Sequence, residues 1–452
     1  MRRYRAGSIR HALARGVAAL AAMALAFTSC AAGEDRSDES VDAESSHGGW
    51  THDEGWSDPG DHGAGTTGPA TGGVGIAEDA SPVLSPTEGE ALSEEVSTTL
   101  AGSEVVDTNL SAGSVDDNEK WEEYLLYRQA FLASGVAVED VDVGGRQIVT
   151  VSTSGGAGVL GATVEITDST GAVVATLRTF ADGRAMFFGS TEVDPNSQER
   201  RTYTATVAKG DESVTQELDP EATSHSVVLD ADPHGEAVQL DVLFLIDVTG
   251  SMSDEIEQLK ANMISVAQQI DELPGEPDVR FAMTVYRDRD DSFQTNTFDF
   301  TDDIDFFISE GLQKVQANGG GDYPEMLSEA FNEAITAPAW RVDDTVKLVF
   351  LVADAPPHLD YGGPSYADDA LSAAAAGIKV LPVASSGLDA QGEYVYRQLA
   401  QLTMGRFVFL TYGADGVSPG EETTMNVDDY GVLSLDELVV QLVSEELAHL
   451  NA

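Results

Sequence analysis

The sequence predicts a multidomain chain: a doubly wound α/β domain over residues 238–449, an all-β sandwich domain over 141–232, and a disordered acidic linker ahead of both. Three observations carry this. From Val238 onward, unbroken apolar runs alternate with helically spaced apolar residues, as in a parallel sheet covered by helices on both faces. Between 141 and 232 the runs shorten, and turn signals separate them. From residue 31 to about 115, Gly, Ser, Thr, Asp and Glu dominate and large apolar residues are scarce. Such a stretch buries too little surface to offset the entropy of ordering.

In chain order, the first 33 residues hold five arginines (Arg2, Arg3, Arg5, Arg10, Arg15) and no acid. Gly16 to Phe27 are small and apolar, and Thr28-Ser29-Cys30 follow. A basic leader with an apolar stretch too short to span a bilayer reads as a signal peptide, here 1–29. Cys30 is the sole cysteine, so no intrachain disulfide is available. Phe27-Thr28-Ser29-Cys30 resembles the lipobox of bacterial lipoproteins, with Phe27 where leucine is usual. The resemblance implies that Cys30 becomes the acylated first residue. With Ala31 next, it implies an outer-membrane address. Plain secretion with a stray cysteine is the alternative.

Residues 30–115 read as an acidic tether that like charges keep extended. Over the whole chain 78 acids face 24 bases, a net charge of −54; without the five leader arginines, 19 bases remain and the net is −59. Such a surface repels nucleic acid and anionic lipid and attracts cations. Adaptation to high salt produces the same balance. His47, His52 and His62 sit among acids in the tether, either as a loose metal collector or as histidines without partners.

Residues 116–136 predict an amphipathic helix, its centre at Glu119 to Ser134. Tyr124, Tyr127 and Phe131 recur at helical spacing, with Trp121, Leu125 and Leu132 beside them. The aromatic stripe calls for a partner, either a neighbouring domain or a separate protein. In 141–232, Ile148 to Val151 and Ala162 to Ile166 are short β runs, and Ser169-Thr170-Gly171, Ala181-Asp182-Gly183 and Lys209-Gly210-Asp211 are turns. Six or seven strands at this spacing make a sandwich. The segments Gly161-Ala162-Thr163-Val164, Asp168-Ser169-Thr170-Gly171 and Ala181 to Ala185 resemble the Ig-like and carboxypeptidase-regulatory-like repeats of bacterial surface proteins. That implies a spacer, or a carbohydrate binder.

The α/β segment opens with Val242 to Ile246, a buried parallel strand, and Asp247 stands where it ends. Asp247, Thr249 and Ser251 then present oxygens at alternate positions across Gly250, and a helix follows with Met252, Ile256, Leu259, Met263, Val266 and Ile270 on one face. Ligands bind in that crevice of open α/β sheets, and hard oxygens suit Mg²⁺ or Ca²⁺. The competing reading makes Ser251 a helix cap with Asp254 completing the box. Further strands are predicted at Val279 to Tyr286, Phe298 to Phe300, Val346 to Val352, Ile378 to Val383 and Phe407 to Leu410. Helices are predicted at Asp303 to Val315, Asp322 to Ile335 and after Ser434, which with Glu437 caps the last.

Two more loops meet the first if the sheet is doubly wound. Asn318-Gly319-Gly320-Gly321-Asp322-Tyr323-Pro324-Glu325 lets the backbone approach an ion closely, although Asp322 and Glu325 also fit an N-cap and its box. Asp354 ends the strand Leu348 to Val352 and starts Ala355-Pro356-Pro357-His358. Two strand-end aspartates on neighbouring strands repel unless a cation lies between them.

The Asp-x-Thr-x-Ser loop, the Gly-Gly-Gly-Asp-Tyr-Pro-Glu loop and Asp-Ala-Pro-Pro-His together resemble the metal-ion-dependent adhesion site of von Willebrand factor type A (vWA) domains, over about 238–449. The resemblance implies a Rossmann-like fold. Thr249 and Ser251 match the hydroxyl ligands, Asp247 and Asp354 the two aspartates, and Asp322 stands where most of the family has threonine. A third carboxylate implies firmer cation binding and a poorer welcome for an acidic partner. Asp288, in Tyr286-Arg287-Asp288, and His358 are candidates for the rim, with an ion pair the alternative for Asp288. The function this implies is a surface-anchored lipoprotein whose vWA domain binds a protein or glycan through Mg²⁺ (or Ca²⁺), with no nucleic-acid partner and no catalytic residues. A structural envelope scaffold stapled by its metal is the alternative. A metal-assisted hydrolase with His358 as base is a third reading, but no Gly-x-Ser-x-Gly elbow or second metal cluster accompanies it.

Overall fold

The computed structural model describes residues 110–189, 201–235, 237–273, 275–411, 425–427 and 430–451. The expected signal peptide, Cys30, His47, His52, His62 and nearly all of the expected tether lie outside the described residues. Strand β1 (Ser111–Val115) and helix α1 (Trp121–Ser134) come first. Seven strands follow: β2 (Arg146–Ser152), β3 (Thr163–Asp168), β4 (Val173–Arg178), β5 (Arg184–Phe188), β6 (Tyr203–Lys209), β7 (Glu212–Leu218) and β8 (Ser224–Val228). They form two sheets, β5-β2-β8 and β4-β3-β6-β7. Alternate residues of β2 and β3, including Val149, Val151, Val164 and Ile166, close a shared core with Val207 and Leu218.

The rest alternates strand and helix. β9 (Gln239–Asp247) leads through a short 3₁₀ turn, Gly250–Asp254, into α2 (Ile256–Asp271). β10 (Asp278–Tyr286), β11 (Thr295–Thr301) and the single turn α3 (Ile304–Phe306) come next. Then follow α4 (Leu327–Thr336), β12 (Thr345–Ala353), α5 (Tyr366–Ala375), β13 (Ile378–Ala384), α6 (Ala390–Leu402), β14 (Phe407–Thr411), β15 (Leu433–Ser434) and α7 (Leu435–Ala448). The eight-stranded sheet has the order β11-β10-β9-β12-β13-β14-β1-β15. β9 pairs in parallel with β10 on one side and β12 on the other. Val242, Phe244 and Ile246 of β9 face a core shared with α2 and α7, while Leu243 and Leu245 face one shared with α4, α5 and α6. A strand covered on both faces has no polar side, hence its unbroken apolar run. No helix among the described residues is long and apolar enough to cross a membrane.

Three expectations need correction. Residues 111–115, assigned from sequence to the tether, are β1, which pairs antiparallel with β14. Leu110, Ala112 and Val115 are buried there, but two serines and a glycine break up the apolar pattern. The large sheet therefore draws a strand from outside 238–449. The expected helix from Asp303 to Val315 is α3 followed by a π turn and a 3₁₀ turn. The helix expected from Asp322 starts at Leu327, and its cap position, Met326, makes no side-chain cap. The backbone of Glu325 is engaged elsewhere: its N–H donates to the Pro356 carbonyl at 3.0 Å, and its carbonyl accepts from the His358 N–H at 3.0 Å.

The stripe on α1 packs on α6 of the same chain. Phe131 stacks on Tyr394 with ring centroids 4.2 Å apart. The buried Arg397 donates from Nε and Nη2 to Asp117 at 2.9 and 2.6 Å, reaches Glu393 at 3.2 Å, and lies 3.8 Å over the Tyr127 ring. Removing the cation from two buried carboxylates leaves them uncompensated, which costs about 3–5 kcal/mol. Arg397→Met is expected to lower stability by about that much in urea denaturation; a loss within about 0.5 kcal/mol would show that the clamp carries no weight.

Candidate metal centre

Asp247 is the last residue of β9, and Asp354 directly follows β12, its parallel neighbour. β10 and β12 leave β9 in opposite directions across the sheet, so the two aspartates stand at a topological switch point. Both are buried, Asp247 completely. Asp247 Oδ1 accepts from the Thr249 amide at 2.9 Å and the Thr249 hydroxyl at 2.6 Å. Thr249 Oγ1 lies 3.1 Å from Ser251 Oγ. Neither Thr249, which precedes the 3₁₀ turn, nor Glu255, which precedes α2, makes a side-chain cap. The hydroxyls of this loop thus face one another and the aspartate rather than a helix end.

The glycine-rich loop is stitched to the first. The Gly250 N–H donates to the Gly319 carbonyl at 3.0 Å, and the Asn318 N–H to the Val248 carbonyl at 2.9 Å. Gly320 has φ +72°, and a Cβ there would stand 2.9 Å from Glu325 Oε1 and 3.2 Å from Thr249 Cβ. Only glycine combines that dihedral with that close approach.

Glu325 is the residue that sequence reasoning missed. Read as the end of a capping box, it is instead buried beside the two aspartates. The signal was its place in an element with no room for a cap, two residues before the true helix. Three buried carboxylate oxygens, Asp247 Oδ2, Asp354 Oδ1 and Glu325 Oε2, have no hydrogen-bond partner in the protein. Burial pushes the Glu325 carboxyl up to about 9, with Asp247, Asp288 and Asp354 adding repulsion. Burial raises Asp354 as well, with the charge of Asp247 adding to it and the Ser251 hydroxyl opposing. Asp247 is raised by burial against the pull of the Thr249 hydroxyl and amide and of the Tyr286 hydroxyl, with the charge of Asp288 adding to the rise. Unpartnered buried charge costs several kcal/mol per group unless a proton or a cation neutralises it. Acidic oxygens with two hydroxyls in front of them suit a hard divalent ion.

Asp322, grouped by sequence with Asp247 and Asp354, is in contrast 65% exposed, and its Oδ2 lies 3.8 Å from His358 Nε2. Asp288, buried, accepts from the Tyr361 hydroxyl with both oxygens at 2.9 Å. Asp288, Asp322 and His358 each bring one ligand atom within 4.8 Å of the others. The ion pair considered for Asp288 is thus replaced by a tyrosine hydrogen bond.

A mostly parallel sheet with acids gathered at the topological switch point defines an α/β domain of the open-sheet kind, in which ligands are taken at that crevice. Residues 241–412 match the family described as the von Willebrand factor A domain, and the chain carries such a domain there. Two relatives align over this chain: an alpha-protein kinase, vwkA, of Dictyostelium discoideum, 33% identical over 123 residues, and a putative ariadne-like RING finger protein, R811, of Acanthamoeba polyphaga mimivirus, 32% identical over 122 residues. Each alignment covers 26% of this chain, but only 19% of the first relative and 11% of the second. Among solved structures, proximal thread matrix protein 1 from the mussel byssus is similar at a TM-score of 0.30 and 15% identity, over 36% of this chain and 40% of that one. The same protein with a zinc occupied MIDAS motif is similar at a TM-score of 0.28 and 16% identity, over 35% of this chain and 41% of that one.

Glu325 supplies a pH signature. In the metal-free folded protein it holds its proton up to about pH 9, whereas its ordinary value is 4.5. Between these values the folded state binds more protons than the unfolded one, so stability falls as pH rises. In chelator, the melting temperature is expected to drop by several degrees from about pH 5 to about pH 8. Glu325→Gln should flatten much of that slope. An equal slope in both proteins would remove Glu325 from the account.

Proposed function

We propose that the von Willebrand factor A domain of this chain is a cation-dependent interaction module that binds a protein or glycan ligand. In this reading Asp247, Thr249, Ser251 and Asp354 hold a divalent ion, Mg²⁺ or Ca²⁺, with Glu325 supplying further negative charge. When bound, the ion would supply charge neutralisation and an open position for a ligand oxygen. The observation that carries the reading is the set of three buried, unpartnered carboxylate oxygens, two at neighbouring strand ends and one on the loop before α4. A core that excluded a cation would have little reason to bury them.

The chain's own residues do the positioning. Thr249 fixes one oxygen of Asp247 through two hydrogen bonds and leaves the other free. Ser251 is exposed whereas Thr249 and the acids are buried, so the centre meets solvent at Ser251. Recognition by coordination involves no covalent step, and the proposal includes no catalytic residue.

The test is binding of the full chain to arrays of envelope proteins and glycans in Mg²⁺, in chelator, and after Mg²⁺ is restored. Asp247→Asn, which removes a ligand charge while relieving buried repulsion, is run in parallel. Retention is expected to fall at least about tenfold, roughly 1.4 kcal/mol, in chelator and in the variant, and to return on Mg²⁺ addition for the wild type alone. If chelation lowers the melting temperature yet leaves every interaction intact, the ion is a structural staple and the scaffold reading replaces this one.

A further inference from the structure

We propose that Asp288, Asp322 and His358 form a second cation site, built from ligands other than the buried acids Asp247, Asp354 and Glu325 beside it and suited to a transition-metal ion such as Zn²⁺. One ligand atom from each of the three residues lies within 4.8 Å of the other two. The His358 side chain is only 7% exposed, and its Nε2 has no hydrogen-bond partner although a carboxylate oxygen of Asp322 stands 3.8 Å away. That separation is too long for a hydrogen bond. It is near the spacing of two ligands on one ion, roughly 3.4 Å for atoms about 2.1 Å from a tetrahedral centre.

The groups behind the cluster prepare it. His358 Nδ1 lies 3.0 Å from Asp360 Oδ1. An Nδ1–H donated to that carboxylate leaves Nε2 with a free lone pair, the arrangement that orients metal-ligating histidines. The imidazole stacks on Tyr361 with centroids 3.8 Å apart and planes 8° from parallel, which fixes the ring. The same Tyr361 donates its hydroxyl to both oxygens of Asp288. One tyrosine thus positions two of the three ligands. Arg289, over the opposite side of this group at 3.8 Å from the Tyr361 ring, spends its charge on Glu329 at 3.3 Å. A nitrogen donor with two carboxylates favours a borderline ion over Mg²⁺ or Ca²⁺. The site also accounts for Asp322, which leans toward His358 and stays out in solvent while the neighbouring acids are buried.

The site does not depend on the function proposed above, and its test separates the two. The full chain, stripped with chelator, is titrated with Zn²⁺ by calorimetry and with Co²⁺ by visible absorption, in excess Mg²⁺ to favour hard-ion occupancy of the buried acids. Wild type and Asp247→Asn are both expected to bind Zn²⁺ and to develop the visible Co²⁺ bands of a low-symmetry, nitrogen-ligated site. His358→Gln is expected to lose those bands, and Zn²⁺ affinity should weaken by about 10–100-fold, the range for disturbed metal ligation. Asp322→Asn, at an exposed residue where folding is not at risk, should weaken Zn²⁺ similarly. If His358→Gln and Asp322→Asn bind Zn²⁺ as the wild type does, the proposal is overturned. If only Asp247→Asn loses the ion, the metal sits at the buried acids, and the second site is overturned while the interaction reading stands.

Discussion

The architecture depends on one electrostatic conflict. Two parallel neighbours, β9 and β12, each end on a buried aspartate, and the loop before α4 adds a buried glutamate between them in sequence. Like charges brought out of water repel strongly, and burial disfavours each of them. A fold keeps such a cluster only where something else is gained. The surrounding hydroxyls relieve the conflict only in part. Thr249 satisfies one oxygen of Asp247 and leaves its second alone. Gly320 gives up its side chain so that Glu325 can approach Thr249. No lysine or arginine side chain hydrogen-bonds to Asp247, Asp354 or Glu325 among the described residues.

The contrast with acids elsewhere in the chain sharpens this. Asp241, also fully buried on β9, is met by Arg280 at 3.0 and 2.7 Å and by Arg341. Asp117 and Glu393 share Arg397. In both places a guanidinium meets the buried carboxylates, an ordinary solution to desolvation. The strand-end cluster lacks that solution. Asp288, Asp369 and Asp436 are buried too and are met by neutral hydroxyl or amide donors instead. What sets Asp247, Asp354 and Glu325 apart is that three acids close enough to repel one another each keep an unpartnered oxygen.

The α/β architecture was legible because buried parallel strands have a plain signature: Val242 to Ile246 and Leu348 to Val352 are apolar on both faces, and an aspartate at the end of each breaks the run where packing stops. The capped start of α7 was legible for a similar reason, since Ser434 accepts from the Glu437 amide. The misses have physical causes too. β1 is five residues of small and polar side chains whose order comes from pairing with β14, a partner nearly three hundred residues away, and no local pattern records such a pairing. Glu325 has the spacing of a capping residue, but tertiary hydrogen bonds to Pro356 and His358 draw its backbone out of the helix. Asp322 follows a motif that placed it with the buried acids, whereas its contact with His358 arises from side-chain direction, which spacing does not encode.

The N-terminal strand and helix connect to the site through α6. Arg397 and Tyr394 receive α1 and the residues before it on one stretch of that helix, and Tyr396, between them in sequence, donates its hydroxyl to the Ala355 carbonyl at 2.9 Å. Ala355 is the residue after Asp354. The helix that anchors the β1–α1 segment therefore also holds the backbone that sets the second strand-end aspartate. Tyr396 is fully buried, so its hydroxyl has no water to replace that carbonyl. The backbone beside Asp354 is thus held by a packed unit that includes α1 and α6, not by the loop alone.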